Sequence, residues 1–529
     1  MTYLRLLVRR HRLLLSAWPL LLVVLTGATV TAYQDTYATD AQRQAAAELA
    51  RENAASTLMY GELPEPGTVA QMFAWEVGAI TTILAAIAAV LVAVAATRAT
   101  EDDGTLELVR STGTDPRTPL RAALVVLVGV ASVLAVGSAT AVALVGALGG
   151  VDAVTSSGAA AFGAVLGATF LLVGTGAVVL AQVAPAAGGA RALGLAAVGL
   201  AFAVRAIADS QDLRWLNWFS PLGLRATVRP FTDNRWWVLL VALLASAALA
   251  RLGTALAARR EYGAGLVPAP PLRTSRLHVR SSLGLAARLD RRSILIWTVG
   301  VASLGTLFSA MGSGVVEQSR DQELDGFLGS QLGTADPVAG YFAYSGTVVG
   351  LVVCAYSVLS VSRYDRDETA GRTALILTAG VRRWVPLAAQ LGATALGAAI
   401  VLTATGLLGA LIAPSVFTGS SVATRALGYT LGQWPAAMVM AAVAALLVGC
   451  RPRLVWLAWV PLAASGVLAL LGELLGIPRA VRDAGIFQHV PDIAGPDPYY
   501  GGLALLLAVA LVGVVLGLVG ATRRDVVAG

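Results

Sequence analysis

The residues best suited to chemistry in this chain are two short clusters of acidic side chains. Glu101, Asp102 and Asp103 form the first cluster, and Asp367 with Glu368 forms the second. Each cluster lies between two long apolar segments and precedes a glycine and then arginines. Grouped carboxylates of this kind suit pairing with another charged surface, whereas no nucleophile with an adjacent base stands out. The clusters therefore predict recognition of a partner rather than catalysis.

Both clusters belong to an internal repeat. Its members Glu101, Gly104, Leu108, Gly113 and Pro119-Leu120 recur 267 positions later as Glu368, Gly371, Leu375, Gly380 and Pro386-Leu387. Two homologous membrane halves in one polypeptide are a common architecture of transporters, in which the substrate path lies between the halves.

Each copy of the repeat is predicted to open a short helix with its acids at the N-terminal end, where the helix dipole favours them. One interpretation is a solvated loop that obeys helix-capping rules. The duplication at fixed spacing favours a docking surface for a cytoplasmic partner. The predicted docking residues are Glu101, Asp102, Asp103, Gly104, Glu107, Arg110, Arg117, Asp367, Glu368, Gly371, Arg372, Arg382 and Arg383.

The composition places these clusters in a membrane protein. Apolar residues make up 57% of the 529 residues and charged residues only 13%, about half the share usual in soluble domains. All 38 basic residues are arginine, so the chain lacks the lysine of an ATP-binding phosphate loop. His11, His278 and His489 are scattered, and we expect neither a metal site nor a bound cofactor.

Apolar segments long enough to cross a bilayer predict an all-α polytopic membrane protein with about twelve transmembrane helices. They lie near 13–33, 74–98, 119–148, 158–184, 190–208, 236–257, 293–314, 343–363, 384–413, 428–449, 454–476 and 500–521. We expect a first six-helix half at 1–257 with an N-terminal interfacial helix, a cytoplasmic linker and interfacial helix at 258–292, and a second half at 293–529. Arginine placement predicts cytoplasmic N- and C-termini.

Charges inside the spans are few, and each is costly unless it is paired or hydrated. Arg205 and Asp209 are four residues apart on one helical face, which predicts a local ion pair. Glu473 occupies almost the repeat-equivalent position of Arg205. The alternative is therefore an outer gate at which Arg205 and Glu473 meet.

Four aromatic residues within or near the spans are candidates for an apolar substrate cavity. They are Phe202, Tyr356, Trp456 and Trp459. Such residues more often pack between helices or face lipid, and this second interpretation stays open.

The repeated pattern E-x-x-G-[TR]-x-x-L resembles the coupling-helix region of type-2 ABC exporter permeases. The two fused six-helix halves resemble the branch of that family that exports polyketide antibiotics and multiple drugs. The segment from Arg205 to Asp209, followed by the residues from Trp215 to Gly223, is similar to the same branch. The second half departs from this pattern, because it has Phe487 to Pro491 where Trp-Phe-Ser-Pro is expected.

The resemblance implies a permease of the bacterial plasma membrane that exports hydrophobic or amphipathic compounds and is itself no enzyme. ATP and Mg²⁺ would be bound by two copies of a separate ATPase subunit, and no nucleic acid is implied. Glu101→Arg or Glu368→Arg is then predicted to uncouple hydrolysis from export without unfolding the protein. The alternatives are an ion-driven secondary transporter, which would be expected to carry carboxylates midway along its spans, and a non-transporting membrane partner of an ATPase.

Overall fold

The computed structural model describes residues 2–36, 39–52, 54–267, 281–321, 336–417, 419, 421–470, 477–490 and 500–524. Over these residues the regular structure is helical throughout. Two compact units comprise Met1–Thr274 and Ser275–Gly529. Among the described residues, twelve helical segments are long and apolar enough to cross a membrane, six in each unit, and each overlaps a predicted span. The prediction of an all-α, multi-pass membrane protein is confirmed.

The first unit contains helices α1 to α12. Their bounds are α1 Thr2–Arg10, α2 Arg12–Thr36, α3 Asp40–Glu52, α4 Ala54–Tyr60, α5 Val69–Ala96, α6 Arg98–Asp102, α7 Thr105–Ser111, α8 Thr118–Leu148, α9 Ser156–Val183, α10 Ala187–Ser210, α11 Leu224–Val228 and α12 Trp236–Arg259. Short 3-10 helices at Arg214–Phe219 and Pro221–Gly223 connect α10 to α11.

The second unit contains helices α13 to α21. Their bounds are α13 Ser282–Asp321, α14 Pro337–Thr369, α15 Arg372–Leu377, α16 Val385–Val416, α17 Val422–Leu431, α18 Trp434–Cys450, α19 Trp459–Leu470, α20 Arg479–Arg482 and α21 Gly501–Arg523. The stretches Pro452–Ala458 and Ile486–His489 form 3-10 helix.

In the first unit α9 packs against α5, α8 and α12. A Cβ atom at Gly163 would lie 2.2 Å from the carbonyl oxygen of Ala135, and one at Gly167 would lie 2.6 Å from that of Ala131. Glycine therefore lets the backbones of α8 and α9 approach closely, as is typical of helix packing in membranes.

In the second unit α13 packs against α16, and α18 packs against both α14 and α21. A Cβ atom at Gly449 would lie 2.0 Å from the carbonyl oxygen of Gly517, so α18 and α21 also cross at small residues. Dispersion contacts at such crossings stabilise helix association where lipid provides no hydrophobic driving force.

Two features of the extramembrane segments refine the sequence analysis. The residues predicted as an interfacial helix before the seventh span form the first turns of α13, because no proline interrupts Ser282–Asp321. The segment 39–56, between the first two spans, contains α3 and the start of α4. After the seventh span, α13 continues as far as Asp321.

Candidate functional site

The repeated element has the same backbone geometry in both units. In the first unit α7 lies between Gly104 (φ +74°) and Gly113 (φ +76°). In the second unit α15 lies between Gly371 (φ +73°) and Gly380 (φ +77°). Glycine adopts this left-handed conformation without the steric cost that a Cβ atom imposes. The four repeated glycines therefore set the length and direction of both short helices.

The acidic clusters lie at a different place from the one predicted. They end the preceding helices, because Asp102 is the last residue of α6 and Glu368 lies in the last turn of α14. The positive φ of Gly104 and Gly371 interrupts each helix, which restarts only at Thr105 or Arg372. A carboxylate near a helix C-terminus opposes the helix dipole, so it requires cationic partners.

Glu101 is held by two arginines of the first unit. Arg98 Nη1 donates to Glu101 Oε2 at 2.5 Å, and Arg260, directly after the sixth span, donates to Glu101 Oε1. All three side chains are at most 8% exposed. Arg260 Nε also donates to Gln182 Oε1 at 2.7 Å. Glu101 therefore connects the base of the second span to the end of the sixth.

Glu368 occupies the matching place in the second unit. Arg524, directly after the last span, donates from both terminal nitrogens to the two carboxylate oxygens, with Nη1 2.5 Å from Oε1. Arg524 Nε donates to the carbonyl of Gly449 at 3.0 Å. The Glu368 side chain is 3% exposed, and two-point guanidinium–carboxylate pairing is among the stronger charged interactions. We call the pairs Glu101–Arg260 and Glu368–Arg524 the clasps.

The clasps correct the predicted role of the two glutamates. Glu101 and Glu368 face the interior of their own units instead of presenting their carboxylates on the surface. An arginine at either position would add a cation to a site already occupied by arginines and leave buried charges unpaired. We therefore expect Glu101→Arg and Glu368→Arg to destabilise the protein, contrary to the prediction of uncoupling without unfolding.

The other predicted docking residues divide between internal contacts and exposed surface. Asp102 accepts a hydrogen bond from the backbone nitrogen of Ala187 at 2.6 Å, and Asp103 pairs with Arg10 of α1 at 2.6 Å. These two carboxylates thus attach α10 and α1 to the element. Asp367 pairs with Arg372 at 2.9 Å. Besides Asp102 and Asp103, the exposed members are Glu107, Arg110, Arg117, Arg372, Arg382 and Arg383.

Each short helix also presents a leucine to its surroundings. Leu108 is 73% exposed and Leu375, its repeat counterpart, is 71% exposed. Two positions earlier, Leu106 and Thr373 are buried and anchor the opposite face. A single exposed leucine needs no explanation, but the same exposed leucine at matching sites of two units is a candidate for a contact surface. The sequence pattern marked Leu108 and Leu375 only as members of the repeat.

The charges near the predicted outer gate form a buried cluster in the first unit. Arg205 Nη1 lies 3.8 Å from Asp209 Oδ2, and the two side chains are 3% and 4% exposed. Asn217 Nδ2 donates to Asp209 Oδ1 at 2.7 Å. Arg205 Nη2 donates to the carbonyls of Leu58 and Met59, each at 2.7 Å. The structure therefore contains the local pair that the spacing predicts.

The second member of the predicted gate, Glu473, lies outside the described residues. Its pairing with Arg205 stays a prediction. The contacts of Arg205 with Leu58 and Met59 join α4 to α10 within the first unit.

The four aromatic cavity candidates occupy dissimilar environments. Tyr356 is 1% exposed and its ring centroid lies 5.7 Å from that of Trp297, so it packs between helices. Phe202 is half-buried, whereas Trp456 and Trp459 are exposed by 60% and 41%. None of the four lines the cavities of about 710, 400 and 210 Å³ that the described residues form. A substrate cavity built from them stays a prediction.

Sequence reasoning missed the arginines of the clasps. A signal was present, because Arg259-Arg260 and Arg523-Arg524 each follow the last span of a half. It also missed a buried network in the second unit, where Arg363 donates to Asp290 and Gln390 Nε2 donates to Asp290 Oδ2 at 2.7 Å. The residues of this network are far apart in sequence, and no repeat pattern marks them.

Twelve candidate spans among the described residues, in two repeated units that each have a short helix after the second span, define a multi-pass membrane protein. A family profile described as "Multidrug efflux system permease Rv1217c, C-terminal domain" matches residues 279–521. The chain is 33% identical to the multidrug efflux system permease protein Rv1217c of Mycobacterium tuberculosis (strain ATCC 25618 / H37Rv), over 99% of this chain and 94% of the relative. The chain belongs to the family of this permease, in agreement with its resemblance to ABC exporter permeases.

Proposed function

We propose that this chain is the permease subunit of an ATP-driven exporter that moves hydrophobic or amphipathic, drug-like compounds out of the cell. Its relationship to a permease named for multidrug efflux supports the export of such compounds. The chain has no lysine for a phosphate loop, so ATP and Mg²⁺ would bind to separate subunits. The permease itself would catalyse no reaction.

The observation that carries the ATP-driven part of the proposal is the duplicated short helix with its exposed leucine. Two matching surfaces suit two copies of one ATPase subunit, each receiving Leu108 or Leu375 in an apolar pocket. The surrounding charges, among them Glu107 and Arg372, would orient the subunit without being buried. Because each clasp joins the helix just before the short helix to the residue after the last span of its unit, movement of a bound ATPase would reach the membrane helices.

The proposed orientation places the short helices and both termini in the cytoplasm. It rests on the arginines beside the spans, since basic residues are enriched on the cytoplasmic side of membrane proteins. Arg110, Arg117, Arg259 and Arg260 lie near this end of the first unit, and Arg382, Arg383, Arg523 and Arg524 lie near the matching end of the second.

The experiment compares ATP-dependent efflux in the wild type and in the double variant Leu108→Asp/Leu375→Asp. Vesicles contain the full chain with its ATPase subunit, and the readout is transport of a hydrophobic fluorescent dye. Each buried leucine stabilises a contact by ~1.5–3 kcal/mol, so we expect ATPase binding to weaken by more than about tenfold. Leu148→Asp, at another highly exposed leucine, is the matched control and should retain the ATPase.

Two results would contradict the proposal. Efflux that persists without ATP but collapses with the proton or sodium gradient would favour the secondary transporter. An ATPase that binds through Leu108 and Leu375 without any dye movement would favour a non-transporting partner.

A further inference from the structure

A cavity of about 710 Å³ lies in the first unit, where α7, the start of α8 and the end of α12 surround it. Five arginines line it: Arg110, Arg117, Arg121, Arg251 and Arg260. The only acidic side chains in the lining are Glu101 and Glu261. Glu101 is already engaged by Arg98 and Arg260, so positive charge dominates the cavity.

Four of these arginines lack a strong anionic partner among the described residues. Arg121 is 3.9 Å from Asp115 with both side chains more than half exposed, a pair worth little in water. Arg110 lies over the ring of Tyr262 at 4.7 Å, and neither Arg117 nor Arg251 has a salt bridge there. The cavity thus offers several guanidinium groups to an anion.

The internal repeat indicates that the fold does not require these charges. At the equivalent positions the second half has Leu377, Trp384, Ala388 and Val515 in place of Arg110, Arg117, Arg121 and Arg251. The first three follow the 267-residue shift, and Val515 follows the shift of 264 that relates Arg260 to Arg524. Only the arginine of the clasp is kept in both halves. A charged cavity in one half and apolar residues in the other suggest a binding role specific to the first half.

We propose that this cavity binds the phosphate headgroup of an anionic phospholipid. Guanidinium groups match phosphate oxygens in geometry and charge, and basic pockets between membrane helices bind such headgroups. The cavity also has apolar lining at Leu120 and Ala255, and exposed Val125 and Leu252 follow along α8 and α12. This surface suits acyl chains and distinguishes the lipid from free phosphate.

The site lies directly behind the first short helix, since Leu106 and Arg110 both line it. A bound headgroup would therefore hold α7 against α8 and α12 in the first unit alone. This inference rests on the proposed orientation in one respect, because that orientation places the site beside the cytoplasmic leaflet, from which the lipid would come. Its test uses no ATPase and no transport, so it fails or stands independently of the proposed function.

The test measures lipid binding to the full chain in an uncharged detergent by native mass spectrometry and by the thermal unfolding midpoint. We expect dioleoylphosphatidylglycerol to bind and raise the midpoint, and dioleoylphosphatidylcholine to do neither. Arg121→Ala/Arg251→Val, which introduces the residues of the second half, should weaken phosphatidylglycerol binding by about thirtyfold. Arg382→Gln/Arg383→Gln removes two exposed charges elsewhere and should leave binding unchanged.

Separate titrations with inorganic pyrophosphate and ATP distinguish the two sources of phosphate. If either compound displaces phosphatidylglycerol with an affinity equal to that of the lipid, and Arg121→Ala/Arg251→Val no longer binds that compound, the cavity is a site for free anions. This result would overturn the proposal of a lipid site. Equal binding of phosphatidylcholine, or unchanged phosphatidylglycerol binding in the variant, would also overturn it. If neither phosphatidylglycerol nor a free phosphate compound binds to the wild type, the proposal is overturned as well. Should the double variant not fold, Arg251→Gln alone replaces it in each comparison.

Discussion

Two glutamates at matching positions of the repeat illustrate how little a residue type says about exposure. Glu101 and Glu368 lie in acidic, polar stretches of sequence, yet each is buried against an arginine that follows the last span of its half. Burial of a carboxylate is tolerated only when its charge and hydrogen bonds are satisfied. At the residue scale the buried clasps are therefore expected to contribute to stability, whereas Leu108 and Leu375 beside them stay exposed.

We predict that Glu368→Gln destabilises the chain by about 3 kcal/mol, because Arg524 loses its buried partner. The measurement is the thermal unfolding midpoint of the purified protein in detergent. Asp367→Asn is the matched control, since it removes the neighbouring carboxylate of a more exposed pair and should change stability by less than about 1 kcal/mol. Arg524→Gln should not add to Glu368→Gln if the two side chains act as one clasp. Equal midpoints for Glu368→Gln and the wild type would contradict the prediction that the Glu368–Arg524 pair stabilises the protein.

At the scale of elements, glycines and short polar motifs determine where helices stop and how closely they pack. The segment that resembles the exporter branch, from Trp215 to Gly223, acts structurally in the first unit. Ser220 Oγ donates to the carbonyl of Ala201 at 2.7 Å and accepts from the nitrogen of Leu222. These two hydrogen bonds hold the loop after α10 against α10, near the buried pair of Arg205 and Asp209.

Gly223→Ala is expected to destabilise this loop, because a Cβ atom there would lie 2.3 Å from the carbonyl oxygen of Asn217. Such overpacking costs about 1–3 kcal/mol, which should lower the thermal unfolding midpoint. Gly199→Ala in α10 is the control, since its Cβ atom meets nothing within 4 Å and alanine favours a helix. An unchanged midpoint for Gly223→Ala would show that the loop accommodates the added methyl group without loss of stability.

At the scale of the whole molecule, the duplication combines two similar units whose surfaces are not equivalent. Both units keep the clasp, the positive-φ glycines and the exposed leucine. The arginine-lined cavity belongs to the first unit, and the buried Asp290 network belongs to the second. The duplicated features are therefore the ones that the proposed function assigns to a partner bound in two copies, and the cavity and the Asp290 network distinguish the two halves.

We predict that the purified chain hydrolyses no ATP and that turnover requires a separate ATPase subunit bound in two copies. The physical reason is the absence of lysine, whose ammonium contacts the β- and γ-phosphates in a phosphate loop. Phosphate release is measured with the chain alone, with the ATPase alone and with both. Robust ATP turnover by the isolated chain, in a preparation shown to be free of other proteins, would contradict the proposal that a separate subunit hydrolyses ATP.

The sequence alone was sufficient for the number of spans, the duplication and the exclusion of a phosphate loop. Spans are encoded locally, since a run of about 20 apolar residues must be helical in lipid, and a repeat is visible wherever spacing is kept. The local pair of Arg205 and Asp209 was likewise predictable, because residues four apart share one face of a helix.

Which side of a helix faces its neighbours was decided only by the tertiary structure. Glu101 and Arg260 are separated by 159 positions, so nothing local reveals that the sixth span returns to bury this glutamate. The same packing buries Leu106 and leaves Leu108 exposed, although both are leucines of one short helix. Burial depends on contacts between distant segments, and sequence spacing within one segment does not encode them.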